Sequence, residues 1–267
     1  MTCLIVGVLN CTPDSFSDGG RWKSLEDAVA GGVRMAEEGA SWIDVGGEST
    51  RPGALPVPAD DEQARVLPVI QGLRRRLSPS IRISIDTYKA STAKAAIKAG
   101  ASVVNDISGG RLDPEILAVA GRAGAGVVLG HLRGAPATMM DNVSFRDVVA
   151  EVHAELGERL AAARAAGCQE TWVDPGIGFG KRLEHNLALL KALPALRAKL
   201  DVPMMVGVSR KAFIGQLTGK PSRERAFGTA AAVTVAVLGG AAAVRVHDVA
   251  SMRDVVKVAL ALAPEIP

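Results

Sequence analysis

Three short polar side chains stand at the ends of separate apolar runs in this sequence. Asp86 and Asp174 are carboxylates, and Asn105 is an amide. Carboxylates accept hydrogen bonds, whereas an amide both donates and accepts them. The set suits a flat heterocycle with an amidine-like edge, because two ring N–H donors can meet one carboxylate. A magnesium site is the competing interpretation of the same oxygens. Against it, the three residues come from separate loops and so do not form a compact set of ligands.

A second group of residues favours binding of an anion. Thr50 precedes Arg51, and Arg245 stands two residues before His247, beside glycine-rich segments. Paired arginines and backbone N–H groups exposed by glycines bind phosphate groups. Asn10, at the end of the first apolar run, is a candidate ligand for Mg²⁺ on that anion. The alternative for His247 is a structural role as a core histidine whose ring nitrogens are hydrogen-bonded. Its spacing of two from Arg245 puts both side chains on one strand face, which favours a shared functional role.

Lys211 follows Ser209 and Arg210, and it has two candidate roles. A lysine at the rim of an enzyme site can form a Schiff base, as in an aldolase, or act as a point charge that steers a substrate. The sequence alone does not separate these roles. Scarce aromatic residues beside the polar segments, Phe16 and Phe179 among them, are candidates to cover a planar ligand.

The polar residues follow eight short, β-branched, apolar runs, which are typical of strands buried on both faces. The predicted strands are residues 4–9, 42–45, 81–85, 102–104, 126–129, 171–173, 203–206 and 243–246. The predicted helices between them are residues 24–38, 62–77, 90–99, 114–123, 145–166, 186–200, 223–238 and 249–262. Ser24 is the predicted N-cap of the first helix, and Gly39 is its predicted stop.

Eight strands that alternate strictly with eight helices, without a linker, predict a single α/β domain over residues 1–267. Eight units in this length favour a (β/α)₈ TIM barrel, whose typical size is about 250 residues. A doubly wound open sheet is the alternative, although no GxGxxG fingerprint follows the first strand. In a barrel the carboxyl ends of all strands meet at one face, so the polar residues are predicted to share one site.

The composition excludes several classes of protein. The chain has 267 residues, of which 48% are hydrophobic and 22% charged, so it is neither disordered, collagenous nor a disulfide-stapled mini-protein. The net charge is only +3 and the basic residues are scattered along the sequence, so we expect no basic patch that would bind duplex nucleic acid. Three cysteines without CxxC spacing fit a reducing compartment, and we expect a cytoplasmic protein without a zinc site.

The uncharged segment 226–244 is long enough in principle to cross a bilayer. It consists mostly of Ala, Gly, Val and Thr, and Gly239 and Gly240 interrupt it. A buried helix, a turn and a strand are therefore the better interpretation. The first apolar run lacks a basic flank and is too short for a signal peptide. We expect no association with a membrane.

Seven fragments, taken in order, resemble the dihydropteroate synthases, the folate-pathway enzymes that sulfonamides target. They are residues 10–20, 46–53, 84–87, 105–109, 174–181, 209–211 and 245–248. Each fragment alone is modest support, whereas all seven together are highly specific. The resemblance covers nearly the whole chain.

The resemblance implies a (β/α)₈ barrel that joins 6-hydroxymethyl-7,8-dihydropterin diphosphate to p-aminobenzoate, giving 7,8-dihydropteroate and pyrophosphate. It implies Mg²⁺ as the cofactor and a homodimer formed through the helical exterior. The residues it implies for the pterin are Asp86, Asn105, Asp174 and Lys211, and those for the diphosphate are Asn10, Arg245 and His247, with Mg²⁺ on Asn10. Those implied for p-aminobenzoate are Thr50, Arg51, Phe179, Ser209 and Lys211, and the implied catalytic residues are Asp18, Thr50, Arg51 and Lys211.

The implied mechanism agrees with these residue types. Pyrophosphate leaves first, and the exocyclic methylene becomes cationic before the arylamine attacks. The protein then stabilises a leaving anion and a delocalised cation without a covalent nucleophile. By this likeness Lys211 is a binding group and forms no Schiff base.

One departure from the family concerns Gly130, which precedes His131 where the family commonly has a methionine against the pterin face. We expect the loss of that side chain to leave a gap that a neighbour or water must fill. Three alternative functions stay open at this point. They are a pterin-binding methyltransferase that serves a corrinoid, a paralogue that binds pterin without turnover, and a class I aldolase with a Schiff base on Lys211.

Overall fold

Eight parallel strands surround a common axis in the computed structural model, which describes residues 2–12 and 24–263. Their bounds are β1 Leu4–Asn10, β2 Trp42–Gly46, β3 Arg82–Asp86, β4 Val103–Asp106, β5 Gly126–Gly130, β6 Thr171–Asp174, β7 Met205–Gly207 and β8 Ala243–Val246. All eight predicted strands are confirmed. Seven continue one or two residues beyond the predicted C-terminal end, so several polar residues expected after a strand are its last residues.

The strands are hydrogen-bonded in the order β6-β5-β4-β3-β2-β1-β8-β7. A parallel bridge between Val173 and Met204 joins β6 to the segment that leads into β7 and closes the ring. The backbone N–H of Val173 also donates to the carbonyl of Pro203 at 3.1 Å. The predicted (β/α)₈ TIM barrel is therefore confirmed, and its strand C-termini share one face.

Ten α-helices lie among the described residues, where the sequence predicted eight. Their bounds are α1 Leu25–Glu37, α2 Ala59–Arg76, α3 Ala90–Ala99, α4 Glu115–Ala123, α5 Val148–Ala165, α6 Leu183–Lys191, α7 Leu193–Leu200, α8 Ala212–Thr218, α9 Ala226–Leu238 and α10 Val249–Leu262. The predicted helix 186–200 is divided at Ala192, because Pro194 in the first turn of α7 has no N–H to continue a helix. The second addition is α8, which lies between two predicted helices and is not among them.

The first helix shows how local sequence fixes these elements. Ser24 Oγ accepts a hydrogen bond from the backbone N–H of Asp27 at 3.1 Å, which confirms the predicted N-cap. Gly39, with φ of +111°, turns the chain after α1 towards β2. A Cβ on Gly32 would lie 2.5 Å from Leu73 of α2, so the glycine lets these neighbouring helices pack closely.

Side chains alternate between the barrel interior and the layer between strands and helices. The interior cluster consists of Val6, Trp42, Val103, Val128, Trp172, Met205 and Ala243. Below it, Arg82 pairs with Glu170 at 2.6 Å and lies 4.7 Å from the centre of the Trp42 ring. These groups fill the N-terminal end of the barrel, so polar side chains higher on the strands face the C-terminal mouth.

Among the described residues, none of the helices combines the length and apolarity that a membrane span requires. The segment 226–244 forms α9, a turn at Gly239 and Gly240, and the start of β8, as predicted. Gly240 has φ of +87°, a conformation that favours glycine.

Candidate active site

The barrel mouth is organised around a buried carboxylate that the sequence analysis missed. Asp44 lies in the middle of β2, and its side chain is 0% exposed. It accepts hydrogen bonds from Ser84 Oγ at 2.6 Å, Asn105 Nδ2 at 3.0 Å and Arg245 Nε at 2.6 Å. Strands β2, β3, β4 and β8 therefore each contribute one side chain to one network. A charged residue within an otherwise apolar strand is the signal that could have found Asp44.

Arg245 is held between two carboxylates, because its Nη2 also donates to Asp86 Oδ2 at 2.6 Å. Burial lowers the pKa of Arg245, but the carboxylates of Asp44 and Asp86 outweigh burial and raise it above its usual value. Burial raises the pKa of Asp86 to about 7, and the carboxylates of Asp44 and Glu62 add to the rise. The positive charges of Arg245 and Lys211 oppose it. Arg245, which stays positively charged, thus lies beside Asp86, whose carboxyl group titrates near neutral pH.

Asp174 ends β6, and its two oxygens have different surroundings. Oδ1 accepts a hydrogen bond from the backbone N–H of Gly176 at 2.7 Å. Oδ2 lies 3.7 Å from the position that a Cβ on Gly207 would occupy, so the glycine keeps space open beside this oxygen. Burial raises the pKa of Asp174, while the Gly176 hydrogen bond and the charges of Lys211 and Arg245 oppose the rise.

Lys211 follows β7 and brings an ammonium group to the same mouth. Its Nζ lies 3.8 Å from the centre of the Phe179 ring, within the range of a cation–π contact. A Cβ on Gly178 would lie 3.0 Å from the Lys211 Cδ, so the glycine leaves room for the lysine stem. Burial lowers the pKa of Lys211 to about 8, and the carboxylates of Asp174 and Asp86 oppose the fall.

Ser209 and His247 come together at the ends of β7 and β8. Ser209 Oγ lies 3.1 Å from His247 Nδ1 and accepts from the His247 backbone N–H at 3.2 Å. The next residue, Arg210, has φ of +59°, which a residue with a Cβ adopts only when its surroundings hold it there. Its N–H donates to Thr229 Oγ1 at 3.1 Å, and its Nη2 donates to Asp248 Oδ1 at 2.6 Å. These contacts hold the turn that carries Ser209.

The loop after β2 carries Thr50 and Arg51, which lie outside the hydrogen-bonded network of Asp44 and Arg245. Arg51 is exposed and Thr50 is half-buried, and within the described ranges neither side chain is a partner of Asp44, Asp86 or Arg245. The base of the loop is anchored by Glu48, which accepts from Tyr88 Oη at 2.5 Å and pairs with Lys89. The loop therefore starts from a fixed point and extends to exposed residues.

Asn10 is the last residue of β1. Its Oδ1 and the Oδ2 of Asp86 lie 3.8 Å and 3.5 Å from the position that a Cβ on Gly46 would occupy, so both oxygens flank one small space. In residues 2–12 and 24–263, no group of three His, Cys, Asp or Glu side chains could hold a metal ion. A neutral amide oxygen fits a cation that keeps water and phosphate oxygens as its other ligands. Asp18, the remaining candidate, lies outside the described residues.

A separate cavity of about 700 Å³ lies at the opposite end of the barrel. Its lining includes Thr2 and Ala242, which precede β1 and β8, and Arg197 in the last turn of α7. None of the candidate site residues within the described ranges lines this cavity.

Residues 6–247 match the family of pterin binding enzymes. The dihydropteroate synthase of Synechocystis sp. is 46% identical over 261 residues, which cover 97% of this chain and 89% of the relative. This chain belongs to the pterin-binding enzyme family. The resemblance that the seven fragments indicate is therefore confirmed.

Solved structures of pterin-binding family members have the same barrel. The Yersinia pestis dihydropteroate synthase with a sulfonamide drug complex gives a TM-score of 0.92 at 37% identity, covering 98% of this chain and 94% of that chain. The Xanthomonas albilineans dihydropteroate synthase with 4-aminobenzoic acid gives a TM-score of 0.90 at 43% identity, covering 100% and 94%. The barrel of these two solved structures therefore matches this chain over essentially its whole length.

A neighbouring segment occupies the space beside Gly130, the position where the pterin-binding family commonly has methionine. A Cβ on Gly130 would lie 2.6 to 2.7 Å from backbone atoms of Ile107. The main chain of the segment after β4 thus occupies the space that a side chain would need. The neighbour that fills the space left by the missing side chain is therefore the backbone of Ile107.

Lys181 is a second buried charge that the sequence analysis used only as part of a fragment. Its Nζ lies 2.9 Å from His131 Nδ1 and donates to the carbonyls of His131, Gly176 and Phe179 at 3.2, 3.0 and 3.0 Å. Burial lowers the pKa of Lys181 to about 7. The ammonium fastens the loop after β6, which carries Phe179 beside Lys211, to the end of β5.

We expect Lys181→Met to lower the free energy of unfolding by about 3 kcal/mol or more, since buried carbonyls without a donor each cost about 1–3 kcal/mol. Urea unfolding followed by circular dichroism measures the change. The exposed Lys191 of α6 provides the matched control, and Lys191→Met should change stability by less than about 0.5 kcal/mol. Equal stability of the two variants would show that Lys181 does not fasten the loop.

Proposed function

We propose that this chain is a transferase that condenses 6-hydroxymethyl-7,8-dihydropterin diphosphate with p-aminobenzoate to give 7,8-dihydropteroate and pyrophosphate. The observation that carries this proposal is the meeting of two carboxylates and two cations at one barrel mouth. They are Asp86, Asp174, Arg245 and Lys211. The 46% identity to a dihydropteroate synthase supports the same function.

The pterin ring is proposed to contact three hydrogen-bond acceptors and one donor of the barrel mouth. Asp86, Asn105 and Asp174 accept hydrogen bonds from N–H groups along the ring edge. Lys211 donates from its ammonium to an acceptor atom of the ring. Open space beside Asp174 Oδ2, where residue 207 has no Cβ, admits the ring to that carboxylate.

The diphosphate lies towards Asn10, Arg245 and His247. Arg245 contributes mainly its positive charge, because its Nε and Nη2 already bond Asp44 and Asp86. We propose that Asn10 Oδ1 is a ligand of Mg²⁺ whose other ligands are diphosphate oxygens and water. When bound, Mg²⁺ reduces the negative charge on the leaving diphosphate.

The reaction needs no covalent bond to the protein. The bond between the exocyclic methylene carbon and the diphosphate oxygen breaks, and its electron pair leaves with pyrophosphate. Asp86 and Asp174 stabilise the resulting cation, which is delocalised into the ring, and Arg245 stabilises the leaving anion. The lone pair of the arylamine nitrogen forms the new C–N bond, and the nitrogen then releases one proton to pyrophosphate or water.

The p-aminobenzoate pocket is proposed on the side of Phe179, Ser209 and Lys211. The Phe179 ring offers a stacking surface for the benzoate, and Lys211 lies over that ring. Thr50 and Arg51 extend from the loop after β2, and we propose that they and Asp18 complete the pocket when both substrates are bound. Arg51 would pair with the benzoate carboxylate in this arrangement.

A coupled assay for pyrophosphate release tests this function. We expect turnover when the pterin diphosphate, p-aminobenzoate and Mg²⁺ are all present, with 7,8-dihydropteroate formed in equal amount. Binding of the pterin without turnover would indicate an inactive paralogue. Methyl transfer to a corrinoid would indicate a pterin-binding methyltransferase. Borohydride trapping of substrate on Lys211 would support an aldolase and refute this proposal.

The affinity for the pterin diphosphate should pass through a maximum between about pH 7 and 8. The Asp86 carboxyl is a stronger acceptor for ring N–H groups when it is ionised, so affinity rises as pH increases through its pKa of about 7. Lys211 loses its charge as pH increases through its pKa of about 8, so affinity falls again. Isothermal titration calorimetry from pH 5.5 to 9 in about half-unit steps measures this. Asp86→Asn should abolish the acid-side rise, and an unchanged rise would contradict the assignment.

We also propose that the chain is a homodimer in the cytoplasm. One face of α9 carries an exposed apolar stripe, defined as Phe227, Ala231, Val235 and Leu238, with Phe227 92% exposed. Val258 of α10 is a further exposed apolar residue, 60% exposed. Apolar patches of this kind are typical of interfaces between subunits. The absence of charge from the stripe favours a second copy of the chain over a charged partner.

Sedimentation equilibrium should show a dimer at micromolar concentration. Phe227→Asp should weaken it by at least about 100-fold, because a charge would replace the most exposed apolar side chain of the stripe and be buried without a partner. Leu55, in the loop before α2, is 80% exposed and lies outside the stripe, so Leu55→Asp is the matched control. A wild-type monomer would refute the dimer, and equal weakening by both variants would refute the α9 stripe as its interface.

A further inference from the structure

Asp44 contacts one residue of the proposed pterin site and one residue of the proposed diphosphate site, but it cannot contact a ligand itself because its side chain is 0% exposed. Its two oxygens serve different partners. Oδ1 accepts from Ser84 Oγ at 2.6 Å, whereas Oδ2 accepts from both Asn105 Nδ2 at 3.0 Å and Arg245 Nε at 2.6 Å. The carboxylate is thus linked through one oxygen to a pterin residue and to a diphosphate residue.

The contact at Oδ2 decides which way the Asn105 amide faces. An ionised carboxylate only accepts hydrogen bonds, so the NH₂ group of Asn105 must face Asp44. The amide oxygen of Asn105 then faces away from Asp44, and within the described residues no group donates a hydrogen bond to it. A rotated amide would place two acceptors together in a buried site, which is unfavourable.

The same oxygen fixes Arg245. The Nε bond to Asp44 and the Nη2 bond to Asp86 hold the guanidinium at two points, which sets the plane of the group. Asn105 belongs to β4 and Arg245 to β8, and these strands are not neighbours in the sheet. One carboxylate on β2 therefore sets the relative placement of two site residues that no backbone pairing connects.

We propose that Asp44 is a positioning residue that fixes the Asn105 amide with its oxygen towards the pterin ring. The mouth then offers acceptors at Asp86, Asn105 and Asp174, and it selects rings with an N–H edge against rings whose same edge carries acceptors. This inference rests on the proposed pterin function and deepens it.

A double-mutant cycle tests whether Asp44 acts through Asn105. The ligand is 6-hydroxymethyl-7,8-dihydropterin, which lacks the diphosphate and so reports on the ring alone. Asp44→Asn preserves the shape but removes the negative charge and replaces one acceptor by an NH₂ group, which cannot accept a hydrogen bond from Asn105 or Arg245. We expect its dissociation constant to rise by about tenfold or more in the wild-type background, and by less than about threefold in the Asn105→Ala background. Equal factors in both backgrounds, or no rise in either, would overturn the proposal.

Steady-state kinetics separates positioning from a general disturbance of the mouth. Asp44→Asn should raise the KM for the pterin diphosphate by about tenfold and leave the KM for p-aminobenzoate within about twofold. Equal increases in both KM values would indicate distortion of the whole site and would overturn the proposal.

Ser84→Ala is the matched control, because Ser84 bonds the other oxygen of Asp44. Its ring affinity should stay within about threefold of the wild type, and a tenfold loss would overturn the assignment to Oδ2 even if Asp44→Asn did not fold. Failure of the wild type to bind the pterin would refute the proposed function. Wild-type binding with an additive cycle would refute only the role of Asp44.

Discussion

Asp174→Asn is expected to lower the affinity for the pterin diphosphate by at least about 100-fold. Asparagine keeps the size of the side chain, and its Oδ1 can still accept from the Gly176 N–H, which bonds the wild-type Oδ1 at 2.7 Å. The loop after β6 is therefore preserved. At the other position, an NH₂ group replaces the Oδ2 acceptor that faces the space beside Gly207. Donor would face donor when the ring binds, and neither could be satisfied.

Isothermal titration calorimetry at pH 7.5 measures this loss. Asp141, which is exposed, provides the control, and Asp141→Asn should bind the ligand with wild-type affinity. Circular dichroism and urea unfolding should show the same fold in both variants. An Asp174→Asn dissociation constant within about threefold of the wild type would refute the assignment of Asp174 to the ring.

Lys211→Met should lower kcat/KM by about 10²- to 10³-fold, the range observed when one preorganised donor is removed from an active site. Methionine fills the same channel beside Gly178 but carries neither charge nor donor. Asp174 and Asp86 would lose the ammonium charge that opposes their raised pKa values, so a larger fraction of both would be protonated at neutral pH. The pterin ring would therefore lose the Lys211 donor, and Asp86 and Asp174 would be weaker acceptors for its N–H groups.

Lys220→Met is the control for this substitution, because Lys220 is exposed and pairs only loosely with Glu224 at 3.8 Å. Its kcat/KM should equal that of the wild type. Borohydride treatment of the wild type with substrate should add no mass to the protein, since Lys211 forms no Schiff base in this mechanism. Wild-type turnover by Lys211→Met would contradict its role at the ring.

The sequence predicted the barrel and the ends of its strands because these follow from local pattern. Continuous apolar runs of β-branched residues marked each strand, and polar residues such as Asp86 and Asp174 marked where each run stops. Since parallel strands present their carboxyl ends on one face, a one-dimensional pattern was enough to predict a common site.

Asp44 and Lys181 were not predicted as parts of the site because their roles depend on pairing across the barrel. Asp44 bonds Ser84, Asn105 and Arg245, which are 40, 61 and 201 residues away in the chain. Such contacts depend on strand order and register, which hydropathy does not encode. The double role of Arg245, a cation near the diphosphate that already pairs with two carboxylates, was hidden for the same reason.

A crystal structure with the pterin diphosphate and Mg²⁺ bound would test most directly whether one barrel mouth gathers these side chains around one ligand. We expect the ring within hydrogen-bonding distance of Asp86, Asn105, Asp174 and Lys211, with the diphosphate beside Asn10 and His247. Density for the ligand in the cavity at the opposite end of the barrel, or a ring at the mouth without contact to either Asp86 or Asp174, would contradict the account.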